Sequence, residues 1–503
     1  MVVYMKNLSL NTNKINVILL TLDSVRFDHL SLFGYKKPTT PTLSRICKEY
    51  ASICTVARAN APYTKASFKS IMTGLLPFTH GGYDSIKGLS SIAKTLNRYK
   101  YKCFGIANND VISHKFGYNE GFDWFITLLP SFLSLGNNIF PYISKKIRPY
   151  IFERKTLISH IIPRIPKSLK ALFLSIITYG RSNNLNPSIP AHAIAAAFSK
   201  FLKFLGKEHF FIWTHFMDTH YPYVITSDFY EEIHGEKPNK YSHFLHYVYI
   251  IDHVVYNMDL SNDILISTIM FYDAAIRTVD DAISRVVNKL EESNLLNKTL
   301  LIITSDHGEE FLEHCSFGHL GKKFITHMYE ELLKVPLIII DFSDKILNKW
   351  LIRKLRDIEW SHIDLYPSLC KLLGLKHPRS IDGLDLVSIA TKGLDINRAI
   401  ISEASLFNFM RGIKPILPDE KIVIAIKEGS WKYINYDNYA EELYNLDQDS
   451  AEVINLAKEK NYKSIISRFQ EIANRRLTVI KSNLLRYHTK RVLYRIKARY
   501  SIK

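Results

Sequence analysis

Short apolar runs that end in polar side chains constrain the fold of this chain more than any other feature of its sequence. The run at 15–22 (INVILLTL) ends beside Asp23, and the run at 299–304 (TLLIIT) is followed closely by Asp306 and His307. Continuous apolar runs of this length are typical of parallel strands that are buried on both faces. Because ligands bind at the carboxyl ends of such strands, we expect these two strand ends to supply site residues.

Helical patterns separate the apolar runs. From Tyr272 to Leu290, apolar residues recur at steps of three and four, which is typical of an amphipathic helix. Further strands are predicted at 209–214, 335–340, 422–427 and 431–435. Strand and helix alternate along the chain, which predicts an α/β fold with a mainly parallel sheet flanked by helices.

Changes in composition divide the chain into a large domain and smaller segments. We interpret residues 1–385 as a catalytic domain, and the basic, proline-interrupted stretch at about 128–186 as an insertion within it. Shorter predicted strands indicate a small C-terminal α+β subdomain at 386–474. Residues 475–503 form a basic tail that is predicted to be helical.

The formal charge of +18 is concentrated in two segments. Residues 145–181 carry nine Lys or Arg and one acid, whereas residues 475–503 carry ten Lys or Arg and no acid. Each Lys or Arg of such a cluster contributes about 1 kcal/mol to the free energy of binding at an anionic bilayer surface. Apolar residues recur among the cations of the tail: Leu484, Leu485, Val492, Leu493 and Ile496. The sequence therefore predicts peripheral membrane contact through the insertion and the tail, with a solvated basic face or a cover over the cleft as the alternatives.

Other classes of partner and compartment are not supported. The five cysteines form an odd set without a Cys-x-x-Cys pair, which argues against a disulfide framework or a zinc cluster. No recognition motif accompanies the positive charge, so we expect no nucleic-acid partner. The first residues do not resemble a signal peptide, and no apolar run reaches about 18 residues. We therefore expect a cytoplasmic protein with membrane association.

A third segment carries the strongest functional pattern. Residues 61–74 (APYTKASFKSIMTG) place Thr64 nine residues before the Thr73 of a Thr-Gly pair. This segment resembles the nucleophile helix of the sulfatase and phosphoglycerol-transferase families. In those families a Thr, or a Cys or Ser that is converted to formylglycine, occupies the position of Thr64. The resemblance implies that Thr64 is the nucleophile.

The resemblance covers most of the chain. Motifs similar to those of sulfatases follow in family order at 23–30 (DSVRFDHL), 305–309 (SDHGE), 364–369 (DLYPSL), 429–433 (GSWKY) and 442–446 (ELYNL). The sequence is therefore identified as a member of the sulfatase family, with an alkaline-phosphatase-like fold. In its nucleophile motif it is most similar to Thr-type phosphoglycerol transferases and phosphatase-like members.

The resemblance also implies a divalent metal ion, which is Ca²⁺, Mg²⁺, Mn²⁺ or Zn²⁺, held by Asp23, Thr64, Asp306 and His307. A cation among carboxylates and an imidazole favours the deprotonated form of a nearby hydroxyl. In-line attack by Thr64 on phosphorus or sulfur would give a covalent phospho- or sulfo-threonine. The alternatives are that Asp23 and Thr64 begin helices and that His307 is a core histidine.

Further site residues follow from the resemblance. His220 lies in a segment similar to the family's histidine-containing loop, and His319 resembles the residue that contacts the anion or protonates the leaving group. We expect both to be catalytic. Substrate-binding roles are predicted for Lys65, His215 and Asn108. A second metal ion would recruit Asp218 together with His220 and His319.

Departures from the sulfatase pattern bear on the substrate. The family carries Cys or Ser, then Pro, then Arg, where this chain has Thr64, Ala66 and Phe68, so formylglycine cannot form. This difference favours phosphoryl over sulfuryl chemistry. We expect a metal-dependent hydrolase of small-molecule, lipid or glycan phosphate or sulfate esters. The alternatives are a phosphoglycerol- or phosphoethanolamine-type transferase at a membrane surface and an inactive binding protein of the same fold.

Overall fold

The computed structural model describes residues 15–127, 190–205, 208–238, 259–319, 321, 325–406, 417, 419–437 and 440–500. The predicted basic insertion at 128–186 lies outside these residues. The strands are β1 (Asn16–Leu22), β2 (Ala51–Arg58), β3 (Lys102–Ala107), β4 (Trp124–Thr127), β5 (Phe210–Phe216), β6 (Thr299–Ser305), β7 (Glu310–Phe311), β8 (Phe317–Gly318), β9 (Lys334–Asp341), β10 (Trp360–Ser361), β11 (Ile400–Ser405), β12 (Ile422–Glu428), β13 (Trp431–Asn435) and β14 (Glu441–Asn445).

The helices follow the same chain order. They are α1 (Pro41–Glu49), α2 (Thr64–Thr73), α3 (Ile92–Arg98), α4 (Ala191–Phe204), α5 (Ser227–His234), α6 (Asn262–Glu292), α7 (Glu330–Leu333), α8 (Lys349–Asp357), α9 (His362–Leu372), α10 (Leu386–Lys392) and α11 (Lys463–Tyr500). The amphipathic pattern from Tyr272 to Leu290 falls within α6, as predicted.

An eight-stranded sheet forms the centre of the molecule, in the order β10-β2-β9-β6-β1-β5-β3-β4. Every pair of neighbours is parallel except those that include β9, which runs antiparallel to β2 and to β6. The prediction of a mainly parallel sheet is therefore confirmed. The strand predicted at 335–340 is present as β9, but its direction is reversed.

Side chains from the two faces of the sheet enter two separate cores. Along β1, Val17 and Leu19 belong to one core, whereas Ile18 and Leu20 belong to the other. Helices α4 and α6 cover the second core, and α2, α3 and α9 contribute to the first. Because both faces are covered, all seven residues of β1 are buried, which explains the continuous apolar run in the sequence.

A second sheet lies toward the C-terminal end of the chain. It has the order β11-β12-β13-β14 and is antiparallel throughout, and the strands predicted at 422–427 and 431–435 are present in it as β12 and β13. Helix α11 packs on this sheet, with the ring of Phe469 stacked on Tyr433 at 5.8 Å between centroids. Residues 475–500 of the tail that is predicted to be helical belong to α11, which begins at Lys463. Within the described residues, no helix is both long enough and apolar enough to cross a membrane.

Candidate active site

The carboxyl ends of three adjacent central strands meet at one edge of the sheet. Strand β1 pairs in parallel with β6, with Leu22 opposite Ser305, so the residues that follow them are neighbours. The backbone N–H of Asp306 donates to the carbonyl of Leu22 at 3.2 Å, and that of Asp23 donates to the carbonyl of Phe216 at 2.9 Å. Strand pairing therefore places Asp23 beside Asp306, with the end of β5 on the other side of Asp23.

Three side chains of types that can bind a metal ion converge at this edge. Asp23, Asp306 and His307 have no exposed surface, and one ligand atom from each lies within 4.8 Å of the others. Ser24 fixes both carboxylates, because its N–H donates to Asp306 Oδ1 at 3.2 Å and its hydroxyl donates to Asp23 Oδ1 at 2.8 Å. The backbone of Ser24 adopts a left-handed conformation with φ of 58°, which turns the chain immediately after Asp23.

Thr64 is the first residue of α2 and reaches the same cluster. Its hydroxyl donates to Asp23 Oδ2 at 3.3 Å, and its Oγ1 lies 3.3 Å from His307 Nε2. Thr64 is 6% exposed, whereas the carboxylates behind it are fully buried. Thr64 is therefore less buried than Asp23, Asp306 and His307.

The backbone around His307 determines which ring nitrogen faces the carboxylates. The Nδ1–H of His307 donates to the carbonyl of Gly308 at 2.8 Å, which leaves the lone pair of a neutral ring on Nε2. His307 Nε2 lies 3.7 Å from oxygens of both Asp23 and Asp306. Glycine is required at 308, because a Cβ atom there would lie 1.8 Å from the carbonyl oxygen of Glu331.

The electrostatics of the cluster fit a divalent cation. Burial, together with the adjacent Asp23, raises the pKa of Asp306 well above its usual value. Burial also lowers the pKa of His307 to about 3, helped by the nearby His319. Within the described residues, the buried Oδ2 of Asp306 has no hydrogen-bond partner. Two buried carboxylates, a neutral imidazole and a hydroxyl form a donor set that suits Mn²⁺, Mg²⁺, Ca²⁺ or Zn²⁺.

Two further histidines line the accessible side. The ring of His319 lies 4.5 Å from that of His307 and 5.2 Å from that of His220, measured between centroids. Glu309, which is fully buried, orients His319 through a contact of 3.1 Å between Oε1 and Nδ1. Burial lowers the pKa of His319, but the hydrogen bond and the charge of Glu309 outweigh burial, so that the pKa is raised.

The residues predicted to bind substrate occupy three different environments. Lys65 Nζ forms an ion pair with Asp84 Oδ1 at 3.1 Å. His215 is fully buried, and its Nε2 lies 3.1 Å from Asp23 Oδ2. Asn108 is buried where β3 ends, at the same edge of the sheet as Asp23. The same role was predicted for all three residues, whereas their contacts differ.

Sequence analysis missed two polar side chains behind the cluster. Ser67 lies one turn after Thr64 on α2, and its hydroxyl donates to the backbone carbonyl of Asp306 at 2.6 Å. The ring of His362 lies 3.3 Å from Ser67 Oγ and 3.3 Å from Thr304 Oγ1. Burial lowers the pKa of His362 to about 3. The helical spacing of Ser67 from Thr64 was the signal that it shares the inner face of α2.

The residues considered for a second metal ion have other contacts. Asp218 is fully buried and accepts a hydrogen bond from the backbone N–H of Ala191, the first residue of α4, at 2.9 Å.

A second cluster in the described part of the chain brings together His314, Glu331 and Glu452. There, the ammonium of buried Lys432 lies 2.8 Å from Glu452 Oε1. A cation therefore already balances the charge of that cluster.

Comparisons with known proteins bear on the family and the fold of the chain. The sequence model of the Sulfatase family matches residues 15–375, and that of the N-sulphoglucosamine sulphohydrolase C-terminal region matches residues 315–478. The phosphonate monoester hydrolase of Agrobacterium radiobacter has a similar structure, with a TM-score of 0.65 and 18% identity over 94% of this chain and 96% of that chain. At this identity, the likeness shows the fold.

Curated relatives match a smaller part of the chain. The multifunctional alkaline phosphatase superfamily protein PehA of Trinickia caryophylli is 24% identical over 211 residues, which are 40% of this chain and 38% of the relative. Arylsulfatase K of Danio rerio is 28% identical over 192 residues, which are 38% of this chain and 34% of the relative. The chain thus spans little more than a third of the length of these relatives. Because the Sulfatase model covers more than half of the chain, the chain belongs to the sulfatase family.

Proposed function

We propose that this protein is a metal-dependent hydrolase of phosphate or sulfate esters that acts through a covalent intermediate on Thr64. The observation that carries the proposal is the position of the Thr64 hydroxyl, which lies 3.3 Å from both Asp23 Oδ2 and His307 Nε2. A divalent cation held by Asp23, Asp306 and His307 would supply positive charge that favours deprotonation of a hydroxyl and neutralises the transferred group.

The residues of the chain have separable tasks in this reaction. Thr64 Oγ1 loses its proton to solvent and attacks the phosphorus or sulfur atom, and its bond to that atom forms as the bond to the leaving oxygen breaks. His319 gives a proton to the leaving oxygen, and Glu309 keeps the ring of His319 in position. Water then attacks the same atom and gives a proton back to His319, and the bond between that atom and Thr64 Oγ1 breaks. Ser24 holds both carboxylates in place throughout.

The substrate proposal rests on the nucleophile and on the relatives. A threonine ester lacks the aldehyde-hydrate route by which sulfatases expel sulfate, which favours phosphoryl substrates. The relatives and structural neighbours include an arylsulfatase, a choline-sulfatase and a phosphonate monoester hydrolase. We therefore propose a small-molecule, lipid or glycan ester as substrate. Transfer to a second alcohol in place of water remains the alternative within the same chemistry.

A substrate panel tests the proposed function directly. Aryl phosphate monoester, phosphodiester, phosphonate monoester and sulfate substrates that share one leaving group would each be assayed with Mn²⁺, Mg²⁺, Ca²⁺ and Zn²⁺. We expect turnover that requires added metal and that is faster for a phosphoryl substrate than for the sulfate. Absence of turnover with every pair of substrate and metal would favour the binding protein of the same fold.

The role of His319 predicts a dependence on the leaving group. For alkyl esters, whose leaving oxygen needs a proton, we expect His319→Ala to lower kcat/KM by about 10²-fold or more. For 4-nitrophenyl esters the loss is expected to be much smaller, because that leaving group departs as an anion. Glu309→Gln keeps the size of the side chain and should show a weaker form of the same pattern. An equal loss for both classes of ester would contradict proton donation by His319.

We also propose that α11 makes the peripheral contact with a membrane. Its inner face packs on the body through Phe469, Leu477 and Leu484, so Leu484, which the sequence pattern grouped with membrane-facing residues, is unavailable to a bilayer. The outer face exposes apolar and basic side chains together. The apolar members are Val479 (47% exposed), Leu485 (59%) and Leu493 (52%), and the basic members are Arg475, Arg486 and Lys490. This mixture favours an anionic bilayer over a nucleic acid.

Flotation with lipid vesicles tests this surface without removing the helix. The wild-type chain should float with vesicles of phosphatidylcholine and phosphatidylserine but not with phosphatidylcholine alone. The double variant Arg486→Gln/Lys490→Gln should float less. The matched control Lys48→Gln/Lys298→Gln removes two exposed cations outside α11 and should float as the wild type does. Equal flotation of both double variants would exclude this face as the site of membrane contact.

A further inference from the structure

His215 connects a metal-ligating carboxylate to the interior of the sheet. It has no exposed surface, and its two ring nitrogens face different residues. Nε2 lies 3.1 Å from Asp23 Oδ2, and Nδ1 lies 3.1 Å from Thr21 Oγ1. Thr21 is opposite His215 in the pairing of β1 with β5, so the contact between them is built into the register of the central sheet.

The surrounding hydrogen bonds determine which ring nitrogen of a neutral His215 carries the hydrogen. The indole N–H of Trp213 donates to Thr21 Oγ1 at 3.0 Å, which leaves the Thr21 hydroxyl as a donor. That hydroxyl has two acceptors, His215 Nδ1 at 3.1 Å and the carbonyl of Thr214 at 3.3 Å. Because the Asp23 carboxylate only accepts hydrogen bonds, a neutral His215 ring carries its hydrogen on Nε2, and its Nδ1 accepts from the Thr21 hydroxyl. Nε2–H then donates to Asp23 Oδ2.

Position 68 places an apolar ring next to His215. The sulfatase pattern carries an arginine there, whereas this chain has Phe68, whose ring packs edge-on against His215 at 4.9 Å between centroids. A phenyl ring offers no N–H group, and the donors to Asp23 Oδ2 are His215 and the Thr64 hydroxyl. The contact with Phe68 also joins His215 to α2, the helix that carries Thr64.

We infer that His215 is a positioning residue that orients the Asp23 carboxylate for the divalent cation and thereby sets the affinity of the site for metal. The inference rests on the proposed function for the presence of that cation. Outer partners of metal ligands typically change metal affinity by about 10- to 100-fold when they are removed. His215 acts through Asp23 and not by touching substrate, so it differs from the substrate-binding role that its sequence position suggested.

Calorimetric titration of the metal-free full-length chain with Mn²⁺ tests this role. His215→Phe keeps an aromatic ring but removes both nitrogens, and we expect it to weaken Mn²⁺ binding by about 10- to 100-fold. Thr21→Val leaves His215 in place but removes its Nδ1 partner, and should weaken binding by a smaller factor. His29→Phe is the matched control, because His29 contacts the buried carboxylate of Asp273 at 2.9 Å, away from the cluster. It should bind Mn²⁺ as the wild type does.

The outcomes separate this inference from the proposed function. If the wild type binds Mn²⁺ and His215→Phe binds it equally well, the positioning role is overturned while the metal site stands. If His215→Phe does not fold, Thr21→Val decides in the same way, because wild-type affinity in that variant would also overturn the role. If the wild type binds no Mn²⁺, Mg²⁺, Ca²⁺ or Zn²⁺, the proposed metal-dependent function itself fails.

Discussion

Replacing Thr64 with alanine should abolish turnover and leave the protein folded. Removal of a nucleophile typically costs at least about 10³-fold in kcat, because no neighbouring group can form the covalent intermediate. The metal should still bind, since Asp23, Asp306 and His307 remain in place. The measurement is kcat/KM on the best substrate of the panel, together with Mn²⁺ affinity by calorimetry.

Thr64→Ser is the matched control, because serine keeps the hydroxyl that donates to Asp23. It should retain measurable turnover. Quenched reactions of the wild type should yield a peptide containing Thr64 that carries the transferred phosphoryl or sulfuryl group. Wild-type rates in Thr64→Ala would refute the assignment of the nucleophile, whatever the result for metal binding.

Replacing Asp306 with asparagine should impair the metal site without destabilising the metal-free protein. The change should lower kcat/KM by at least about 10³-fold, because the positive charge of the metal contributes several kcal/mol to transition-state stabilisation. It also removes one of two adjacent buried carboxylates, so the metal-free variant should be at least as stable as the wild type. Thermal unfolding with and without Mn²⁺ measures both effects.

In the wild type, metal should raise the free energy of unfolding by about 2.7 kcal/mol at a concentration of about 100 times Kd. This increase should disappear in Asp306→Asn. Asp341→Asn is the matched control, because Asp341 is equally buried but accepts hydrogen bonds from the backbone of Ile346 and Leu347. That variant should be less stable without metal and keep the metal-dependent increase. A metal-dependent increase in Asp306→Asn as large as that of the wild type would remove Asp306 from the site.

The sequence predicted the parts of the fold that depend on local pattern. The apolar runs at 15–22 and 299–304 indicated buried strands because a strand covered on both faces has no polar side. The convergence of Asp23 with Asp306 could be predicted because parallel strands end at the same edge of a sheet. The reversed direction of β9 could not, since a buried strand has the same apolar composition in either direction.

Contacts between distant residues explain what sequence analysis left unresolved. The role of His215 depends on its register with Thr21, which pairing between β1 and β5 determines. Lys65 was predicted to bind substrate, but its ion pair with Asp84 depends on the path of the loop after α2. Leu484 fits the spacing of an outward-facing apolar residue, yet it is buried because α11 packs on the body of the protein.

Anomalous diffraction from crystals grown with Mn²⁺ tests the central claim most directly. The proposed function requires one strong Mn²⁺ peak bound by oxygens of Asp23 and Asp306 and by His307 Nε2, with Thr64 Oγ1 adjacent to the ion. A Mn²⁺ peak at another place in the molecule, or a Thr64 hydroxyl turned away from an ion bound at the three ligands, would contradict it.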